Sequence, residues 1–332
     1  MTGNQSVFKS FLLIYSDHTF INKGTGLDTY YVKDSENKPL FVRSWKPEHG
    51  SPKAILQIIH GMSEHSGRYS HIARFFAENG FIVVAHDHRG HGHTDPEQLG
   101  HIGHERGLDA LAENIGDVKR AVVKEYSDLP IIMLGHSMGS FCLQRYFQLT
   151  NDRADAIIYS GSNGRPSRLL PVGIWTTSAL MKIWGGEKRS PFLDNLLSKS
   201  FNRHFKPNRT KADWLSRDEA MVDLFLDDPL CDETLSIKFL HALFTGLRDL
   251  HHHKPFADHD KNIPVLLLSG ERDPVSNMGK GVRNLEKLIR KSGVNRVDVK
   301  LYKDGRHEML NETNREEGLN DLYGWIQDNV QS

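Results

Sequence analysis

Five consecutive residues, Gly135-His136-Ser137-Met138-Gly139, stand in an arrangement that makes a side-chain hydroxyl reactive. A serine with a glycine two positions away on each side suits a sharp strand-to-helix turn, where the missing Cβ atoms let the two elements approach and leave the hydroxyl exposed. Such a pentapeptide arises by chance in roughly one chain in ten of this length, so its flanks decide. An apolar run, 131–135, precedes it, and a helical pattern, 138–150, follows. A serine hydroxyl is a weak nucleophile at neutral pH and needs an imidazole to take its proton and a carboxylate to orient that imidazole.

Among 19 histidines, His307 is the expected base, because it follows the last predicted strand in the loop Asp304-Gly305-Arg306-His307-Glu308. The expected acid is Asp273 in Gly270-Glu271-Arg272-Asp273-Pro274, where Pro274 fixes the backbone beyond it. Glu271 is the alternative. The oxyanion formed on acyl attack must meet preorganised N–H donors, each worth roughly 2.7–4 kcal/mol. The amides of Met138, directly after the nucleophile, and of Met62, in His60-Gly61-Met62, are the candidates. The His60 side chain is expected to brace that loop.

The elements that must position these groups follow from periodicity. Candidate strands 30–33 and 40–45, separated by Asp34-Ser35-Glu36-Asn37, read as an antiparallel hairpin. Runs at 54–60, 81–86, 131–135, 156–160, 265–269 and 297–302 read as nearly continuous apolar strands of a parallel sheet. Helical patterns at 68–79, 107–125, 138–150, 279–291 and 316–327 fill the gaps, giving an α/β architecture. Between 161 and 263 the alternation stops and helical periodicity takes over. The expected organisation is an N-terminal extension, 1–28, a core formed by 29–161 and 263–332, and a helical cap, 162–262.

Composition narrows the function classes. Lysine plus arginine and aspartate plus glutamate each number 42, so no field of one sign exists to attract nucleic acid. Two cysteines, Cys142 and Cys231, are too few for a disulfide framework and do not form a C-x-x-C pair. A reduced, cytoplasmic setting is expected. The apolar run 11–15 is shorter than a secretory core, and no run approaches the roughly 18 residues needed to span a bilayer. Any membrane contact is therefore expected to be peripheral.

Together these residues resemble the monoglyceride lipase and lysophospholipase branch of the α/β-hydrolases, grouped with serine aminopeptidase-like hydrolases. The resemblance extends through His60-Gly61-Met62-Ser63-Glu64-His65-Ser66-Gly67-Arg68-Tyr69, Asp87-His88-Arg89-Gly90-His91-Gly92, Gly135 to Ser140, Asp227-Asp228-Pro229-Leu230-Cys231 and Gly270-Glu271-Arg272-Asp273-Pro274-Val275. It implies an α/β-hydrolase fold with an inserted cap and hydrolysis of a single-chain lipid ester, monoacylglycerol or lysophospholipid, through an acyl group on Ser137. No metal or organic cofactor is required. An aminopeptidase on the same groups would need cap carboxylates such as Asp213, Asp218 or Glu219 to hold an ammonium. A silent binding protein on the same scaffold is the third reading.

Several tempting features read more simply. The run from His86 to His93, with His101 and His104 beyond it, lacks the helical spacing that gathers metal ligands on one face, and reads as a structural turn. His251-His252-His253 reads as a helix terminus or solvated loop, and Cys142 as a small buried residue. In the cap, Trp175, Leu180, Met181 and Trp184 read either as cap core or as contacts of the acyl chain, on a helix apolar enough to face both the site and a lipid surface. Such a surface would serve dimerisation equally well.

Overall fold

The structure, a computed structural model, describes residues 26–252 and 261–330. The expected extension 1–28 lies almost wholly outside the described residues. Eight strands form one sheet: β1 (Leu27–Lys33), β2 (Pro39–Trp45), β3 (Ala54–Ile59), β4 (Phe81–His86), β5 (Ile131–His136), β6 (Ala156–Ser160), β7 (Val265–Gly270) and β8 (Val297–Tyr302), in the order β1-β2-β4-β3-β5-β6-β7-β8. β1 and β2 form the expected hairpin, β2 pairs antiparallel with β4, and the rest are parallel.

Alternation along each strand feeds two cores. Ile55 and Ile59 of β3 face one side, with Ile115 and Val118 of α2 (Leu108–Glu125), Leu143 of α3 (Met138–Leu149) and Leu285 and Ile289 of α8 (Lys280–Lys291). Leu56 and Ile58 face the other, with Ile72 and Phe76 of α1 (Ser70–Glu78) and Leu322 and Ile326 of α9 (Arg315–Asn329). The strand at 297–302 departs from the expected apolar run. It is the sheet's edge, and its polar Asp298 and Lys300 alternate outward. The helix expected at 68–79 is also divided: a 3-10 turn, Ser66–Tyr69, precedes α1, because the His65 imidazole accepts the Gly67 N–H and caps the turn.

Between β6 and β7 lie α4 (Leu170–Trp184), α5 (Pro191–Asn202), α6 (Glu219–Asp227) and α7 (Ile237–His252). α7 joins the core through Phe239, Leu240 and Leu243. α4 packs on α7: a Cβ on Gly173 would sit 3.1 Å from the Phe244 ring, and the Thr177 hydroxyl lies 2.9 Å from His241 Nδ1. No helix among the described residues is long and apolar enough to cross a membrane.

Candidate functional site

Ser137 occupies the turn between β5 and α3 with φ 51° and ψ −121°, a strained conformation for a residue bearing a Cβ. The turn survives because its surroundings over-determine it. The Ser137 N–H donates to the Ser160 carbonyl at 2.9 Å, and a Cβ on Gly139 would stand 2.3 Å from the Ile59 carbonyl oxygen, so only glycine lets α3 approach β3 this closely.

His307 and Asp273 arrive from the loops after β8 and β7. The imidazole Nδ1 and Asp273 Oδ1 are 2.9 Å apart, with the two side chains 1% and 0% exposed. Asp273 also accepts the Val275 N–H at 2.8 Å and the Ser269 hydroxyl at 3.0 Å. Burial alone would raise its carboxyl, but the His307 imidazole and these donors hold it below the usual carboxylate range. For His307 burial opposes the charge, but Asp273, with Glu308 and Glu64 behind it, outweighs burial and lifts the imidazole above 6.5. Glu271 is exposed and forms no part of this pair.

His307 Nε2 is buried without a hydrogen-bond partner among the described residues. No Ser137 to His307 hydrogen bond is formed, but both residues line one open cavity. Met62 lines it as well, and Gly61 brings that loop against Ser137: a Cβ there would lie 3.2 Å from Ser137 Cβ. Met138 is the first residue of α3. His60 braces the loop: its Nε2 accepts the His88 N–H at 2.9 Å, and Nδ1 lies 2.7 Å from the Gly61 carbonyl.

The cap helix expected to meet the acyl chain does not line this cavity. Trp175 and Trp184 are 73% and 52% exposed, and Leu180 and Met181 are half-buried away from it. Gly173 and Thr177 set the reason, because these small residues turn one face of α4 onto α7 and leave the opposite face outward. The apolar wall comes instead from Leu197 and Phe201 of α5, Trp214 and Leu215 of the following segment, and Phe225 of α6. Asp194, Asp232, Glu233 and Lys211 add polar lining, with Lys211 paired to Asp232 and Arg189 to Glu233.

A buried ion cluster beside His307 was not anticipated. Arg68 donates to Glu64 at 2.6 Å and, through both terminal nitrogens, to Glu308 at 2.8 Å. Glu64 in turn accepts the Gly61 N–H at 2.5 Å and the Tyr69 hydroxyl at 2.8 Å. Burial disfavours the Glu308 charge, but Arg68 overcomes it and lowers the carboxyl to about 2. The cluster thus joins the Met62 loop to the His307 loop. The only sign of it in the sequence was that Glu64, Arg68 and Glu308 sit within motifs already singled out.

Several other described histidines are packed into the structure or paired with carboxylates. His60, His86, His88 and His91 are fully buried, with ring centroids such as 4.3 Å for His60–His88 and 4.8 Å for His86–His88, and burial lowers the affinity of all four for protons. His101 and His104 pair with Glu187 and Glu36. His251 and His252 end α7, and His253 lies outside the described residues. His65, Asp228 and Cys231 bring metal-type donor atoms within 4.8 Å of one another. There the Gly67 N–H occupies His65 Nδ1, so Nε2 carries the proton toward Asp228 at 2.9 Å, and burial raises the Cys231 thiol.

Comparisons with known proteins agree with this architecture. Human monoglyceride lipase is 28% identical over 86% of this chain and 85% of its own length. Monoacylglycerol lipase of Mycolicibacterium smegmatis is 26% identical over 85% of this chain and 90% of its own. A thermostable carboxyl esterase from Bacillus coagulans, solved with glycerol, superposes with a TM-score of 0.82 at 26% identity, covering 93% of this chain and all of that one. A soluble variant of Saccharomyces cerevisiae monoglyceride lipase superposes at 0.69 with 19% identity, over 99% of this chain and all of that one, a likeness of fold. A family model described as serine aminopeptidase, S33, matches residues 50–314. The chain has the α/β-hydrolase fold and belongs to the serine aminopeptidase, S33, family of hydrolases.

Proposed function

We propose that the protein hydrolyses carboxylic esters of single-chain lipids, a monoacylglycerol or lysophospholipid, through an acyl-enzyme on Ser137. One observation carries the reading: the partnerless Nε2 of an Asp273-bound imidazole lines the same apolar cavity as a serine held on a strained turn. In the first half-reaction Ser137 Oγ bonds to the acyl carbon as His307 Nε2 takes its proton. Met62 and Met138 amides receive the oxyanion. Collapse breaks the bond to the alcohol oxygen, which takes the proton from His307. Water then attacks the acyl-enzyme with His307 again as base, releasing the fatty acid and free Ser137.

The similarity to monoglyceride and monoacylglycerol lipases supports an ester of this class, and so does the lining. Residues 162–262 act as the cap, with Leu197, Phe201 and Phe225 suited to an acyl chain and the carboxylates of the lining to a hydroxylated head group. Val172, Trp175, Ile183 and Trp184 of α4 and Phe192 and Leu196 of α5 are exposed apolar side chains that suit contact of the cap with a lipid surface. W175S/F192S is expected to lose sedimentation with phosphatidylcholine vesicles while retaining turnover of a soluble ester; unaltered sedimentation would remove these side chains from membrane contact.

Aminopeptidase action draws on Asp194, which lines the cavity and whose carboxyl burial raises despite nearby Lys211. The carboxylates first suggested for it are engaged elsewhere: Asp213 accepts the Arg209 and Thr210 amides, and Asp218 caps α6 and pairs with Arg315. Hydrolysis of monoacylglycerols, lysophosphatidylcholine and aminoacyl-arylamides by one preparation ranks the readings. Preference for the arylamide would overturn the ester assignment.

A further inference from the structure

Four rings from four separate segments follow one another through the site. The Phe201 and Trp214 centroids are 4.7 Å apart, Trp214 and His307 are 5.0 Å apart with planes tilted 35°, and His307 and His136 are 4.7 Å apart. Trp214 is held firmly in this series. Its backbone N–H donates to Asn202 Oδ1 at 2.9 Å, the next carbonyl, of Leu215, accepts the Glu308 N–H at 2.8 Å, and Arg306 donates to the carbonyls of Asp213 and Ser216. Segment 213–216 is therefore laced to the loop that carries His307, while Trp214 and Phe201 also line the cavity.

We propose that Trp214 is a positioning residue for His307 that couples an acyl chain in the cavity to the base, because a chain packed on Phe201 and Trp214 presses the indole toward the imidazole. The proposal rests on the serine-hydrolase reading above. An indole within about 6 Å also attracts a cation and so favours the imidazolium formed during acylation. Other charged or titratable groups around His307 are Asp273 from the β7 loop, Glu64 from the β3 loop, Glu308 on its own loop, Arg68 between the two glutamates, and His136 at the end of β5. Asp273 supplies the main stabilisation, and Trp214 adds a smaller one that depends on what fills the cavity. Acyl length then registers in kcat more than in KM.

The test compares W214L and W214F with wild type on p-nitrophenyl butyrate and laurate across pH. W214L is expected to move the acid limb of kcat/KM down by about half to one pH unit and to lower kcat for laurate about tenfold with a smaller loss on butyrate. W214F is expected to restore most of both. An unmoved limb with equal losses on the two esters, or a W214F no better than W214L, would overturn the proposal. If W214L does not fold, the tryptophan fluorescence difference between wild type and W214F carries the test, since a neighbouring imidazolium quenches indole. That difference should titrate with the acid limb, and a difference that does not overturns the proposal. Full activity in S137A would instead overturn the underlying serine reading, whatever the Trp214 variants show.

Discussion

In the proposed mechanism His307 accepts a proton only when neutral, so activity should rise with pH along an acid limb lying above 6.5, since burial is outweighed by Asp273 together with Glu308 and Glu64. A kcat/KM profile with its limb well below 6.5 would contradict this. D273N removes the charge and permits the wrong tautomer, and kcat should fall about 10⁴-fold; a loss under tenfold would remove Asp273 from its role. The meeting of positions 273 and 307 was legible because each lies a few residues past a recognisable strand, and loops after parallel strands gather at one edge. Trp214 was not legible: its partners Phe201, Asn202 and Leu215 are near in sequence, but the imidazole it touches lies 93 positions on, and nothing local signals that distance.

At the scale of elements, the strands and core helices were readable almost to their ends, since each fills one side of a two-faced sheet and period alone reports it. The inserted helices were readable as helices but not as walls. α4 and α5 are both rich in apolar residues, and which of them meets the cavity depends on Gly173 and Thr177 seating α4 on α7, a contact that composition does not express. The Glu64–Arg68–Glu308 cluster joins two loops 240 residues apart and was equally hidden. Removing its cation would leave two carboxylates buried side by side. R68M is expected to cost about 3–5 kcal/mol in urea unfolding, and a cost below 1 would show that the loops hold together without it. The turn between β5 and α3 permits a sharper test: G139A must push a methyl group into the Ile59 carbonyl, so it should abolish activity or folding, and a fully active G139A would contradict the close approach of α3 to β3.

The whole molecule inherits a pH dependence from the same cluster. Glu308 has its carboxyl lowered from 4.5 to about 2, so its contribution to stability is complete above 4.5 and fades as pH falls toward 2. E308Q should be less stable at neutral pH yet lose less on acidification over that interval; parallel curves for the two proteins would place the titrating group elsewhere. Fold, cavity and charge are all consistent with the proposal that Ser137 takes the acyl group. The most direct measurement is peptide mass analysis after quenching turnover of a slowly hydrolysed monoacylglycerol analogue or a fluorophosphonate. One adduct per chain is expected, on the peptide containing Ser137 and absent in S137A. An adduct on another residue, or undiminished ester hydrolysis by S137A, would contradict it.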